Sequence, residues 1–231
     1  VIPNTKYFNE VIHDGLAAVK NGNIITLGIY PSHPETGYGY LQIKKSKTTQ
    51  LKKVIKFIEK PNKILATKML QEENYLWNSG IFMFRAEDMI NAFNKYAKNI
   101  LLNVTNSIKY SVKDMQFTRL DPNFWKNVDE ISIDYAIMEK AKNLVAIPYN
   151  SSWSDLGNWE SVWREAKQDK NGVVLSKNSH AIDCKNSYLR TEDERQQIVG
   201  LGLKDIVAIA MPDAVLVANK NKSQKVKNIV E

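Results

Sequence analysis

The chain has 231 residues, 43% of them hydrophobic and 25% charged, enough apolar material for one substantial core and too much for a disordered chain. No apolar stretch approaches the roughly 20 residues that a membrane-crossing helix needs. The single cysteine, Cys184, excludes an internal disulfide and a thiolate metal site, so a reducing cytoplasm is the expected compartment. Three scattered histidines, His13, His33 and His180, do not make a structural zinc site.

The formal net charge of +7 is local: six lysines and no acid fall between Lys44 and Ile58, and Lys220, Lys222, Lys225 and Lys227 add four more. Neither run is interleaved with arginine or with the aromatic platforms of single-strand binders. A solvated face is expected there, not a nucleic-acid footprint. The chain opens Val1-Ile2-Pro3 without a methionine or a charged-then-apolar leader, which reads as neither a translated start nor a signal peptide. The expectation is a trimmed chain or one with sequence upstream.

In chain order, Asn4 or Thr5 caps an amphipathic helix carrying Phe8, Val11, Ile12, Leu16 and Val19, and Gly22 stops it. Ile24 to Ile29 reads as a buried strand, and Pro31 and Pro34 bracket a loop leading to Thr36-Gly37-Tyr38-Gly39-Tyr40. Lys53 to Glu59 is a strand ended by Pro61, Asn62 to Gln71 a helix, Trp77 to Phe84 a strand containing Gly80, and Ala86 to Tyr96 a helix. From Asn99 to Lys126 the pattern is mostly helical. Ser132 caps a helix from Ile133 to Ala141, Leu144 to Pro148 is a short strand, and Gly157 to Ala166 is a helix. At about Gln168 the texture changes: short apolar runs alternate with turn residues from Gly172 to Ala218, and Lys222 to Val230 closes the chain as a helix. The resulting division is an α/β domain over 1–168 and a β-rich appendage over 169–231. No internal repeat is visible, although the short spacing leaves room for degenerate solenoid coils.

Four places carry chemistry. Gly37 and Gly39 allow a backbone amide to approach a ligand, or simply mark a tight turn between stacking tyrosines. Glu59 and Lys60 set a carboxylate and an ammonium side by side at a strand end, fit for sugar hydroxyls and a phosphate, or for a rim salt bridge. Asn78 begins a strand with Ser79 and Gly80 and can bind a hydroxyl or cap a turn. Asp155, in a loop before a helix, is either a helix cap or a hard-oxygen ligand for magnesium.

Together, Glu35–Tyr40 (ETGYGY), Phe57–Pro61 (FIEKP), Leu76–Phe82 (LWNSGIF), Ser132–Glu139 (SIDYAIME) and Trp153–Trp159 (WSDLGNW) closely resemble the mannose-1-phosphate guanylyltransferases. The nearest likeness is to the bacterial type often fused to a mannose-6-phosphate isomerase, and it runs over essentially the whole chain. It implies a nucleotide-diphospho-sugar transferase fold, a Rossmann-like mixed sheet with helices on both faces, followed by a β-helix-like part. The implied reaction converts GTP and mannose 1-phosphate to GDP-mannose and pyrophosphate. By that likeness Asp155 holds Mg2+, Glu59 takes sugar hydroxyls and Lys60 the sugar phosphate. Gly37, Tyr38 and Gly39 line the substrate, and Asn78 meets another hydroxyl.

GTP and mannose 1-phosphate are the implied partners, with no nucleic acid and no membrane, and a homodimer is compatible with the likeness. The family's glycine-rich triphosphate loop and a second metal-binding aspartate belong upstream of Val1, and nothing within 1–231 stands in for them. An isomerase module belongs beyond the C-terminus. The expectation is that the 231 residues alone show no measurable transfer. Three other readings stay open: a nucleotidyltransferase for another sugar phosphate, a non-catalytic module that binds a sugar nucleotide or a partner subunit, and an interaction protein using the lysine-rich 44–56 face.

Overall fold

The computed structural model describes residues 1–45 and 50–226, so Lys47 and Lys227 of the two basic runs lie outside the described residues. Contacts divide the chain into two compact units, Ile2–Ser151 and, together with Val1, Ser152–Glu231. The sequence texture suggests a boundary after residue 168. By contacts, residues from Ser152 group with the second unit, and the reason lies in the helix that follows.

In the first unit, α1 (Thr5–Lys20) is capped by Asn4, whose side chain accepts from Tyr7 N at 3.0 Å. It buries Val11, Ala18 and Val19, part of the stripe its apolar spacing predicts. β1 (Ile24–Ile29) is buried at every position. β2 (Tyr40–Ile43), β3 (Lys52–Ile58), α2 (Lys63–Gln71), β4 (Tyr75–Met83), α3 (Ala86–Tyr96) and α4 (Lys98–Lys109) follow. The stretch that reads as mostly helical then departs from expectation, forming a hairpin of β5 (Val112–Asp114) and β6 (Phe117–Arg119) before the short α5 (Pro122–Trp125). Val112 and Phe117 are exposed, so no core imprints a period of two on it. The expected helix from 133 is a π-helical turn, Asp134–Met138, and β7 (Leu144–Tyr149) is the last strand of the unit.

The strands run β1-β4-β2-β3-β7 and close on themselves through Lys52↔Ala146 and Lys53↔Val145. β1 pairs parallel with β7, and the other pairs are antiparallel, which makes the sheet mixed. Lying between β4 and β7, β1 is apolar along a run instead of alternating. Ile24, Leu41, Leu76, Ile137 and Ala146 form the heart of the core at 0% exposure, and each fully buried Leu or Ile contributes about 1.5–3 kcal/mol. This core holds rigid the ends of β2, β3 and β4, where the polar residues gather.

The second unit contains α6 (Trp159–Glu165), β8 (Val174–Leu175), β9 (Ser179–Ile182), β10 (Tyr188–Thr191), β11 (Ile198–Leu201), β12 (Ile206–Ala210) and β13 (Val215–Asn219). β8, β10 and β12 stack in parallel, as do β9 and β11. Ser179↔Ile198, Lys185↔Lys204 and Tyr188↔Val207 share one sequence offset, so the chain winds in β-helix coils until β13 returns antiparallel on β12. Val174, Tyr188, Val207 and Ile209 fill the interior, and Trp159, Val162 and Trp163 of α6 pack on them. That packing is why the unit begins before residue 168. The expected closing helix is a 3-10 turn over Lys220–Val226, and the rest of that stretch lies outside the described residues. Among the described residues no helix is long and apolar enough to cross a membrane.

Candidate active site

Neighbouring side chains on a strand point to opposite faces, so Glu59 and Lys60 meet only because the strand ends at Ile58, just before them. Pro61 cannot continue the ladder, and Lys60 takes a φ of 44°, in the left-handed region that costs a residue with a Cβ. The turn folds Lys60 Nζ back to 2.9 Å from Glu59 Oε1. The Glu59 side chain is only 6% exposed and that of Lys60 56%, so the ammonium is the member that faces solvent. Burial pushes the Glu59 carboxyl above its ordinary range, outweighing the pull of the Lys60 ammonium, with Asp134 and Glu139 adding to the rise. The hydrogen bond to Glu59 raises the Lys60 ammonium in turn.

Gly39 makes room for that carboxylate. A Cβ there would sit 2.6 Å from Glu59 Oε2 and 3.2 Å from the Phe57 ring. Gly39 O also accepts from Asn78 N at 2.7 Å, which ties the start of β2 to β4. Between the pairs Thr26↔Phe82 and Gly28↔Asn78 the register slips, β4 carrying the extra residues; Gly80, at a φ of 73°, supplies the conformation such a bulge requires. Asn78 is thereby aimed so that its Oδ1 accepts from Thr26 Oγ1 at 2.8 Å and its Nδ2 donates to Asp134 Oδ1 at 3.4 Å.

Asp134 and Glu139 reach the site through the π turn. Residues five apart on an α-helix point about 140° away from each other. Here Glu139 N donates to Asp134 O at 2.9 Å, a wider turn that brings both acids to one side. Glu139 Oε1 accepts from Glu59 N at 3.1 Å. Burial raises the Asp134 carboxyl above its ordinary range, partly offset by its backbone hydrogen bond and by Lys60.

Gly37 and Tyr38 lie in the adjoining loop. Gly37 N and Thr36 N each donate to Glu35 Oε1 at 2.8 Å, so the Gly37 amide is engaged within the loop. Tyr38 and His33 stand edge-on to Trp77, their ring centroids at 5.3 and 4.9 Å. Gly39, Glu59, Lys60 and Asn78 thus converge as a group, joined by Thr26, Asp134 and Glu139, to which sequence reasoning gives no role. Asp134 and Glu139 fall in a segment that carries the family likeness. Thr26 shows only as one hydroxyl in an apolar run.

Asp155 belongs to the other unit. It is exposed and does not cap α6: that place is taken by Asn158, whose side chain accepts from Ser161 N at 3.0 Å. A Cβ on Gly157 would lie 2.7 Å from Asp155 Oδ2, so the glycine leaves the carboxylate its space. A hard carboxylate of this kind fits magnesium, which takes one or two carboxylates and completes its shell with water and phosphate oxygens. Among the described residues no group of three His, Cys, Asp or Glu is placed to hold a metal.

The fold is that of a nucleotide-sugar transferase domain followed by a β-helix. The chain belongs to the nucleotidyl transferase family: the model described as Nucleotidyl transferase matches residues 5–172. A second, described as MannoseP isomerase/GMP-like beta-helix domain, matches residues 177–231. The chain is similar to a mannose-1-phosphate guanylyltransferase of Escherichia coli, 34% identical over all of this chain and 50% of that protein. A mannose-1-phosphate guanylyltransferase of Salmonella montevideo is 35% identical over all of this chain and 50% of its own length. The xanthan biosynthesis protein XanB of Xanthomonas campestris is 35% identical over all of this chain and 48% of its own length. The chain therefore spans about half the length of these relatives. Among solved structures, a Thermus thermophilus protein described as a mannose-1-phosphate geranyltransferase superposes with a TM-score of 0.80 at 25% identity, over all of this chain and 66% of that one.

Proposed function

We propose that the chain carries the sugar-phosphate side of a mannose-1-phosphate guanylyltransferase, which joins GMP from GTP to mannose 1-phosphate and releases pyrophosphate. The observation that carries this reading is the Glu59–Lys60 pair, a buried carboxylate able to accept from hydroxyls beside an exposed ammonium able to meet a phosphate.

The phosphate of mannose 1-phosphate is already ionised at neutral pH, so no side chain has to remove a proton from the nucleophile. One of its oxygens forms a bond to the α-phosphorus of GTP as the bond from that phosphorus to the departing pyrophosphate breaks. Lys60 holds the sugar phosphate and offsets its charge as it nears a second phosphate. Glu59 and Asn78 orient the sugar, turning a two-body encounter into a positioned one. Asp155 would be the ligand this chain offers to magnesium, which would supply charge neutralisation at the phosphates.

The test is calorimetric titration of mannose 1-phosphate, glucose 1-phosphate, mannose and inorganic phosphate into the 231-residue chain and into Lys60→Ala. Mannose 1-phosphate is expected to bind more tightly than either part. Loss of one charge-assisted contact should weaken it by about 10- to 100-fold while leaving mannose unaffected. Equal binding by the variant, or a preference for glucose 1-phosphate over mannose 1-phosphate, refutes the reading.

A further inference from the structure

We infer that Thr26 is a positioning residue that locks the Asn78 amide, so that Asn78 and Asp134 together read one sugar hydroxyl as both acceptor and donor. The inference rests on the sugar-phosphate reading above and adds to it residues that the reading does not use.

Thr26 is 0% exposed and Asn78 8%, so neither side chain can look to bulk water for its hydrogen bonds. An asparagine amide can sit in two orientations, and its neighbours decide which one holds. Turned over, Asn78 would place its oxygen at the 3.4 Å spacing now held by Nδ2 and Asp134 Oδ1, setting one acceptor oxygen against another. The carboxylate therefore keeps Nδ2 on its own side. The Thr26 hydroxyl, which can donate or accept, is left to donate to Asn78 Oδ1, and at 2.8 Å it does so. Hydrogen bonds then run in one direction, from Thr26 through Asn78 to Asp134.

Asn78 Nδ2 has two N–H groups and spends one on Asp134, while the Asp134 carboxylate keeps acceptor capacity beyond that bond. A free donor and a free acceptor side by side match a single hydroxyl, which can satisfy both at once. A phosphate oxygen or an ether cannot. Without the Thr26 hydroxyl, Asn78 Oδ1 would be buried without a donor, and the amide would gain by turning toward any other donor in reach.

The experiment has a ligand-free arm and a binding arm, both on the 231-residue chain as wild type, Thr26→Val and Thr26→Ser. Valine has nearly the shape of threonine and suits a buried strand, so the fold is retained. In the first arm, the Asn78 side-chain amide signals are followed by nitrogen–proton NMR. They should be distinct and slowly exchanging in wild type, move toward those of a solvent-exposed asparagine in Thr26→Val, and return in Thr26→Ser. Signals unchanged in Thr26→Val overturn the inference. In the second arm, Thr26→Val should bind mannose 1-phosphate about tenfold more weakly and inorganic phosphate as wild type does, with Thr26→Ser restoring the loss. An equal loss for both ligands would make the effect structural and reject hydroxyl reading. A wild type that does not bind mannose 1-phosphate rejects the substrate reading itself, and the NMR arm still decides whether Thr26 positions Asn78.

Discussion

Replacing Gly39 by alanine adds one methyl group at the point where the site is tightest. Gly39 is not at positive φ, so alanine meets no backbone strain and its whole effect comes from contact. The new Cβ would stand 2.6 Å from Glu59 Oε2 and 3.2 Å from two atoms of the Phe57 ring. Phe57 is 4% exposed and held in the core, so its ring has little room to retreat. The Glu59 carboxylate is the far end of a flexible side chain, and it is the group that must yield. Overpacking of this kind costs about 1–3 kcal/mol, and the yielding carboxylate puts Gly39→Ala near the lower end. As it moves, however, it abandons Lys60 Nζ at 2.9 Å and the place where it can accept from a sugar hydroxyl. Binding should therefore suffer more than folding. Urea unfolding of Gly39→Ala should show a loss of about 1 kcal/mol at unchanged slope, and calorimetry on the same sample at least a tenfold weaker affinity for mannose 1-phosphate. Normal affinity despite the stability loss would show that Glu59 is not a ligand contact. If neither quantity changed, the crowding at Gly39 would be refuted as well.

Two further substitutions separate function from folding. Burial raises the Asp134 carboxyl, so the folded chain holds that proton more tightly than the unfolded chain does. No cost exists below the unfolded value, where both states are protonated; it appears as pH rises through the raised folded value. Asp134→Asn should therefore gain stability relative to wild type as pH rises from the ordinary aspartate value of about 3.9 through the raised folded value, while its mannose 1-phosphate binding weakens. Denaturation midpoints that stay parallel across that range would refute it. Because Asn158 caps α6, Asp155→Asn should shift stability by no more than about 0.5 kcal/mol yet lower magnesium affinity measured in the presence of pyrophosphate. A larger stability loss with unchanged magnesium affinity would return Asp155 to a structural role.

What is legible in the sequence follows from what leaves a periodic mark. The stripe of α1, the cap at Asn4 and the buried run of β1 each have a local cause, and each is where the pattern puts it. The hairpin of β5 and β6 has no such mark because its side chains lie largely exposed. The β-helix coils are visible as short strands but not as a repeat. Their regularity lies in the backbone offset shared by Ser179↔Ile198 and Tyr188↔Val207, and that offset tolerates different residues at matching places. That α6 groups with the second unit leaves no mark in the sequence texture, because Trp159 and Trp163 look like the inner face of any amphipathic helix. Only the structure shows that their partners are Val174, Tyr188 and Val207.

The site is harder to read than the fold because three departures from regular structure create it. Lys60 at a φ of 44° reverses the alternation that would separate it from Glu59. The register slip near Gly80 turns Asn78 toward Thr26. The π turn brings together Asp134 and Glu139, which an α-helix would hold apart. Each departure gives up local stability, and each serves the same small group of polar side chains. Glu59 and Asp134 add a further cost, since both carboxyl groups are raised by burial. A segment selected for stability alone would have regular turns here and apolar or neutral side chains in place of the acids. That several independent departures meet at one place is the physical reason to regard it as a binding site. Gly39, Glu59, Lys60 and Asn78 stand out in the sequence as candidates, each with a structural alternative, and it is the family likeness of their segments that gives them roles. Thr26, Asp134 and Glu139 do not stand out, because their part depends on the conformation that delivers them.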